Sequence, residues 1–194
     1  IQISKKIINY KKKVKTIFGK QIYLNHFPHI TIGVLDVNKE FFQNFKLNKK
    51  KLKKLVSSKY LSFYQPFIFR NDLLANNGNT IVYEIKKFKW FQDFQIEIFN
   101  QLQIYRVKNT SKISFNQKWI KNNNMLYGYP YVGDYWKPHI TISSILVNKN
   151  NDLYYRKFED VFLNEKVNFK QKIDNISFFK INNNSHKLIK KYSL

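Results

Sequence analysis

The sequence predicts an α+β fold of two similar lobes, and three observations carry that expectation. The five residues Pro-His-Ile-Thr-Ile occur twice, at Pro28 to Ile32 and at Pro138 to Ile142, in a chain that holds only four histidines and four prolines. Each copy lies in an extended segment, and each half of the chain adds a stretch of helical spacing and further β-branched or aromatic runs. No Pro/Gly/Ser-rich linker or block of foreign composition interrupts the 194 residues, so one domain is expected over residues 1–194.

The elements follow in order. Ile7, Tyr10, Val14 and Ile17 recur at helical spacing, which predicts an amphipathic helix over residues 4–18 with a lysine-rich outer face, ended by Gly19. Gln21 to Leu35 reads as an extended segment carrying the first copy of the repeat. Asp36 to Ser58 reads as one or two helices, or as a helix and a basic loop; its run Lys49 to Lys54 is by default a solvated face. Tyr60 to Arg70 and Thr80 to Lys86 read as paired strands around the polar loop between them. Phe91, Phe94, Ile98, Phe99 and Leu102 share one face, predicting a core helix from about Trp90 to Tyr105. Lys108 to Asp134 is polar and turn-rich, a long loop with a short helix that leads into the second copy. Tyr154 to Asn164 then reads as helix, followed by strands at Val167 to Gln171, Ile173 to Ile181 and Lys187 to Tyr192.

Composition narrows the chemistry. With 43% hydrophobic and 18% aromatic residues the chain builds a packed core. It has no cysteine, which removes disulfides, thiolate nucleophiles and zinc–cysteine sites. Thirty-five Lys and Arg stand against 12 Asp and Glu, a formal charge of +23. An AT-rich coding bias explains many lysines but not the scarcity of acids, whose codons it hardly penalises. A polyanionic ligand is the better reading. The carboxylates are not clustered as a two-metal nuclease needs, and Gly-x-Ser-x-Gly and His-Glu-x-x-His are absent. No apolar run approaches the ~20 residues that span a bilayer, and the lysine-rich start lacks the apolar stretch of a secretory signal. A cytoplasmic protein without a membrane partner is expected.

In an extended segment, side chains two apart share a face. His29 and Thr31 therefore project together, as do His139 and Thr141, while Ile30, Ile32, Ile140 and Ile142 point the opposite way into a core. Two imidazoles with ordinary pKa values near 6.5 can divide the work of base and acid near neutral pH. Two hydroxyls beside them can donate to oxygens on which negative charge grows.

These paired His-x-Thr copies, with the aromatic approach Gly133-Asp134-Tyr135-Trp136-Lys137 entering the second, resemble the signature of the 2H phosphoesterase superfamily. The resemblance implies a bilobal α+β fold with a pseudo-twofold axis, antiparallel sheets lining a central cleft and helices outside. It also implies metal-independent cleavage of nucleotide phosphodiesters without a cofactor: 2′,3′-cyclic phosphates, 2′-5′ linkages, RNA ends or cyclic signalling oligonucleotides. The catalytic pair would be His29 and His139, with the acid and base roles open between them, and Thr31 and Thr141 would hold the phosphate. Tyr129, Tyr131, Tyr135 and Trp136 crowd the approach to His139 and are candidates for stacking on bases, with Lys137 for a phosphate contact. His26 falls outside the pattern and reads as a structural or rim residue, and His186 reads as a turn residue. Two other functions are compatible with the same residues: 2′-5′ end joining of RNA, and a basic RNA-binding module that catalyses nothing. The oligomeric state is left open.

Overall fold

The computed structural model describes residues 2–107, 117–182 and 185–194. Its helices and strands run α1 (Gln2–Phe18), α2 (Lys39–Asn44), α3 (Lys49–Val56), β1 (Leu61–Asp72), β2 (Gly78–Ile85) and α4 (Lys89–Leu102), then α5 (Lys118–Tyr127), β3 (His139–Ile145), α6 (Asp152–Leu163), β4 (Phe169–Gln171), β5 (Asn175–Asn182) and β6 (Ser185–Ser193). The class is α+β, with strand pairs β1–β2, β2–β3 and β5–β6 all antiparallel. Part of the expected long loop, residues 108–116, lies outside the described residues. No helix among those described is long and apolar enough to cross a membrane.

The chain divides into two compact units, each assembled from three separate segments rather than from one half of the sequence. The first comprises Ile1–Thr31, Leu61–Lys86 and Lys137–Lys170. The second comprises Ile32–Tyr60, Lys87–Trp136 and Gln171–Leu194. Both copies of the repeat, apart from Ile32, therefore belong to the first unit. The sheets differ as well, with four strands in one and two in the other.

The first unit is built on the four-stranded sheet, ordered β3-β2-β1-β4. Strand β2 lies inside it and reads as a nearly continuous apolar run, with Ile81, Val82 and Tyr83 fully buried. Helix α1 forms because Ile3, Ile7 and Val14 recur on one stripe and are buried while Lys5, Lys12 and Lys13 face water. Gly19, at φ +70°, ends it by taking the left-handed conformation while its N–H caps the Lys15 carbonyl. Tyr10 of α1 meets Tyr83 of β2 and Phe162 of α6 edge-on, with ring centroids 6.2 and 5.4 Å away. The Tyr83 hydroxyl donates to Glu165, which also pairs with Lys6. Desolvation, with the Glu165 charge behind it, pushes Tyr10 up to about 12 and Tyr83 higher still, so both phenols stay neutral.

The expected extended segment Gln21 to Leu35 is interrupted by a turn at residues 23–25. It touches the outer edge of β3 at two isolated bridges, Ile22 with Ser144 and Ile30 with Ile140, both antiparallel. The step from Ile22 to Ile30 is eight positions and that from Ile140 to Ser144 only four, so four residues are looped out of the ladder. Tyr23 turns the chain at φ +67°, and Pro28 has no N–H with which to continue a ladder.

The second unit packs α2 to α5 with the β5–β6 pair. Asn38 and Asn48 cap α2 and α3 by accepting the Phe41 and Lys51 N–H groups. An aromatic cluster of Phe41, Phe45, Tyr105, Phe178 and Tyr192 ties α2 to the strands. The stripe Phe91, Phe94, Ile98, Phe99 and Leu102 of α4 is buried, as its spacing predicts. Two polar residues, Gln92 and Gln95, are buried with it. Gln95 is fully buried, and its amide donates to the Ile32 and Tyr131 carbonyls while its oxygen accepts the Gly133 N–H, at 2.8, 3.0 and 2.9 Å.

Candidate functional site

The bridge between Ile30 and Ile140 places the two copies of the repeat side by side in opposite directions. Carrying that register one residue each way sets His29 against Thr141 and Thr31 against His139. Directly opposed residues of an antiparallel pair share a face, with Cβ atoms about 5 Å apart and diagonal neighbours about 7–8 Å apart. The four polar side chains thus form one rectangle, with the histidines on one diagonal and the threonines on the other. Each imidazole has the other copy's hydroxyl as its cross-strand neighbour.

The backing residues separate by parity. Ile140 and Ile142 are buried at 6% and 0% exposure, whereas His139 and Thr141 are half-buried and His29 and Thr31 exposed. A bulge falls on the last residue of the second copy: Thr141 opposes Val82 and Ser143 opposes Ile81, leaving Ile142 as the extra residue. It reverses the parity of the strand, and Ser143 donates to the Ile22 carbonyl at 2.8 Å instead of joining Thr141.

The two histidines are held in the same way. Nδ1 of His29 lies 2.7 Å from the Phe27 carbonyl oxygen, and Nδ1 of His139 lies 2.7 Å from the Lys137 carbonyl oxygen. A carbonyl can only accept, so each Nδ1 carries the hydrogen. Nε2 is left as the nitrogen that takes or gives a proton, in both copies. The proline explains why this contact repeats. A residue before proline is restricted to extended backbone, and the proline ring fixes the next φ, so the carbonyl two positions back is set beside the imidazole.

The copies differ in surroundings. Burial pushes the His139 pKa below the ordinary histidine value, opposed by the Lys137 carbonyl and by Glu84 and Asp72, with the charge of His29 adding to the downward push. Phe69 closes one side of that imidazole at 5.1 Å between ring centroids. Glu84 stands directly across the ladder from His139 and accepts a hydrogen bond from Gln65 at 3.2 Å. Asp72 accepts from the buried Thr80 hydroxyl at 2.6 Å.

Sequence reasoning missed Phe69, Asp72 and Glu84. Only Glu84 left a signal, as the single acid in the apolar run Ile81 to Ile85. Among the described residues, no group of three or more His, Cys, Asp or Glu could hold a metal ion.

The proposed substrate contacts fare unevenly. Trp136 is only 4% exposed, with its ring against Phe91 at 4.6 Å, so it is a core residue and its face is not available to a base. Tyr129 is half-buried and stacked on Phe99, and desolvation raises its hydroxyl to about 12. Tyr131 and Tyr135 are exposed. Tyr135 stacks face to face on Trp119 of α5, with centroids 4.0 Å apart, an aromatic pair the sequence did not single out. Lys137 is exposed, and its definite contribution is the main-chain carbonyl that orients His139. His26 lies with its ring 6.4 Å from that of His29, and His186 lies on β6 rather than in a turn.

No protein-family model matches the chain, and no curated protein matches it.

Proposed function

We propose that the protein is a metal-independent phosphodiesterase of the 2H type, with the bilobal arrangement of that superfamily, acting on an RNA-like or 2′-5′-linked nucleotide. The observation that carries this reading is the pair of equivalent imidazoles, each with Nδ1 tied to the carbonyl two residues back and each set against the other copy's threonine. Two-histidine general acid–base chemistry needs this arrangement, and a structural histidine pair does not.

His139 is assigned the base, because burial favours its neutral form. Its Nε2 takes a proton from water or a ribose 2′-hydroxyl as that oxygen bonds to phosphorus. The bond from phosphorus to the leaving oxygen breaks, and protonated His29 gives its Nε2 proton to that oxygen. Thr31 and Thr141 donate to the non-bridging oxygens as their charge rises. The high positive charge supports an anionic substrate.

The test is a panel of linear 2′-5′ and 3′-5′ oligonucleotides, 2′,3′-cyclic mononucleotides and cyclic dinucleotides, with and without a chelator, the products identified by mass. Turnover that resists the chelator is expected. No turnover of any substrate overturns the reading, and ligation of cyclic-phosphate to 5′-hydroxyl ends would replace it with end joining. Thr31→Val and Thr141→Val are each expected to lower kcat about 10²-fold, as the loss of one transition-state donor does, with a smaller change in KM. The acidic limb of the pH–rate profile is expected below the ordinary histidine pKa of about 6.5, since the base must be deprotonated and its pKa is lowered.

A further inference from the structure

Ile8, Lys11, Lys12 and Lys15 of α1 recur at helical spacing and share one face. That face lines a cavity of about 290 Å³, whose other side is formed by the looped-out residues between the two bridges, among them His26 and Phe27. The volume is at the small end of ligand sites. Three lysines line it and, among the described residues, no Asp or Glu does.

Lys11 distinguishes this face from an ordinary solvated run of lysines. It is 7% exposed, its ammonium donates to the Tyr23 carbonyl, and it sits one helical turn from the like charge of Lys15. Burial alone pulls its pKa down to about 8, with no carboxylate acting against that push. A charge buried in this way is costly until an anion enters. The cavity also adjoins the histidine pair. The His26 ring that lines it lies 6.4 Å from the His29 ring, and Phe27, whose side chain is 87% exposed, supplies the carbonyl that orients His29.

We propose that this cavity is a second phosphate site, holding the phosphate that neighbours the scissile one, so that the substrate is an oligonucleotide with at least two phosphates rather than a cyclic mononucleotide. This rests on the phosphodiesterase reading and narrows its substrate class. Lys12 and Lys15 reach the phosphate from the exposed side and Lys11 from the buried side, as point charges.

The experiment measures binding to proteins carrying His139→Ala, which activate neither water nor a hydroxyl, of 2′-O-methyl diadenylate bearing a 5′-phosphate, a 3′-phosphate or neither, in 0.15 M salt. One terminal phosphate is expected to tighten binding about tenfold over the unphosphorylated probe. That gain is expected to vanish in the exposed double variant Lys12→Gln/Lys15→Gln and to persist in Lys50→Gln/Lys53→Gln on α3. His29→Ala is expected to retain it. A gain at neither end, a gain unchanged in Lys12→Gln/Lys15→Gln, or an equal loss in the α3 variant would overturn the second site. Turnover of unmodified oligonucleotides is read separately. Phosphate-dependent binding without turnover would defeat only the phosphodiesterase reading, and turnover with phosphate-independent binding would defeat only the second site.

Discussion

Alanine in place of His29 or of His139 is expected to lower turnover about 10²- to 10⁴-fold, the range that a positioned general acid or base contributes. Neither change should unfold the protein. His29 is exposed, and His139 is half-buried with its main ring neighbour, Phe69, retained. Circular dichroism and the midpoint of thermal unfolding would check this. The double variant is expected to be about as inactive as either single one, because an acid and a base that serve one step act as a unit. The two single variants should differ in pH dependence: His139→Ala loses the acidic limb of the profile, whereas His29→Ala keeps it. More than a tenth of the wild-type rate in either variant would remove that histidine from the chemistry.

Gln95→Leu is expected to destabilise the protein by about 2–4 kcal/mol, although by pattern it would complete an apolar helical stripe. Leucine matches glutamine in helix propensity and approximates it in size. It cannot replace the hydrogen bonds to Ile32, Tyr131 and Gly133, and each buried backbone group left unpaired costs about 1–3 kcal/mol, less where water still reaches it. A native state about 5–15 kcal/mol stable would lose a large share of its margin. Gln95→Glu is expected to be at least as harmful at neutral pH. Its carboxylate keeps the acceptor for Gly133 and turns a second oxygen towards two carbonyls. Urea unfolding of the three proteins measures the effect, and a Leu variant as stable as wild type would show that these hydrogen bonds contribute nothing net.

The contrast between Gln95 and its neighbours shows where sequence reading reached its limit. Helices α1, α4 and α6 were legible because burial of one face leaves a period of 3.6 in the chain, and β1 and β2 because β-branched and aromatic runs flank a polar turn. A buried glutamine leaves no such period. Its role depends on three backbone groups from segments far away in sequence. Trp136 was misjudged for the related reason that closeness to His139 along the chain says nothing about which neighbour its ring meets, and here that is Phe91 of α4.

The expected extended segment Gln21 to Leu35 is interrupted rather than continuous. Its apolar residues do reach the edge of β3, but only at Ile22 and Ile30, and the excess length is turned out at Tyr23 to Pro28. The same excess forms one wall of the lysine-lined cavity. Composition cannot specify a register when one partner is longer than the other, because side-chain alternation is the same on either side of the excursion.

By itself the sequence determined the chemistry on offer: two imidazoles and two hydroxyls in matched pentapeptides, a large positive charge, no thiol, and proline before each histidine to restrict the backbone that presents it. Tertiary structure decided how those groups meet. Pairing of Ile30 with Ile140 set each histidine against the other copy's threonine, and burial made His139 and His29 unequal where the sequence had made them alike. Side-chain identity follows from the chain alone, whereas register arises from a contact between residues 110 positions apart, and the surroundings of His139 from Phe69, Asp72 and Glu84 on other strands.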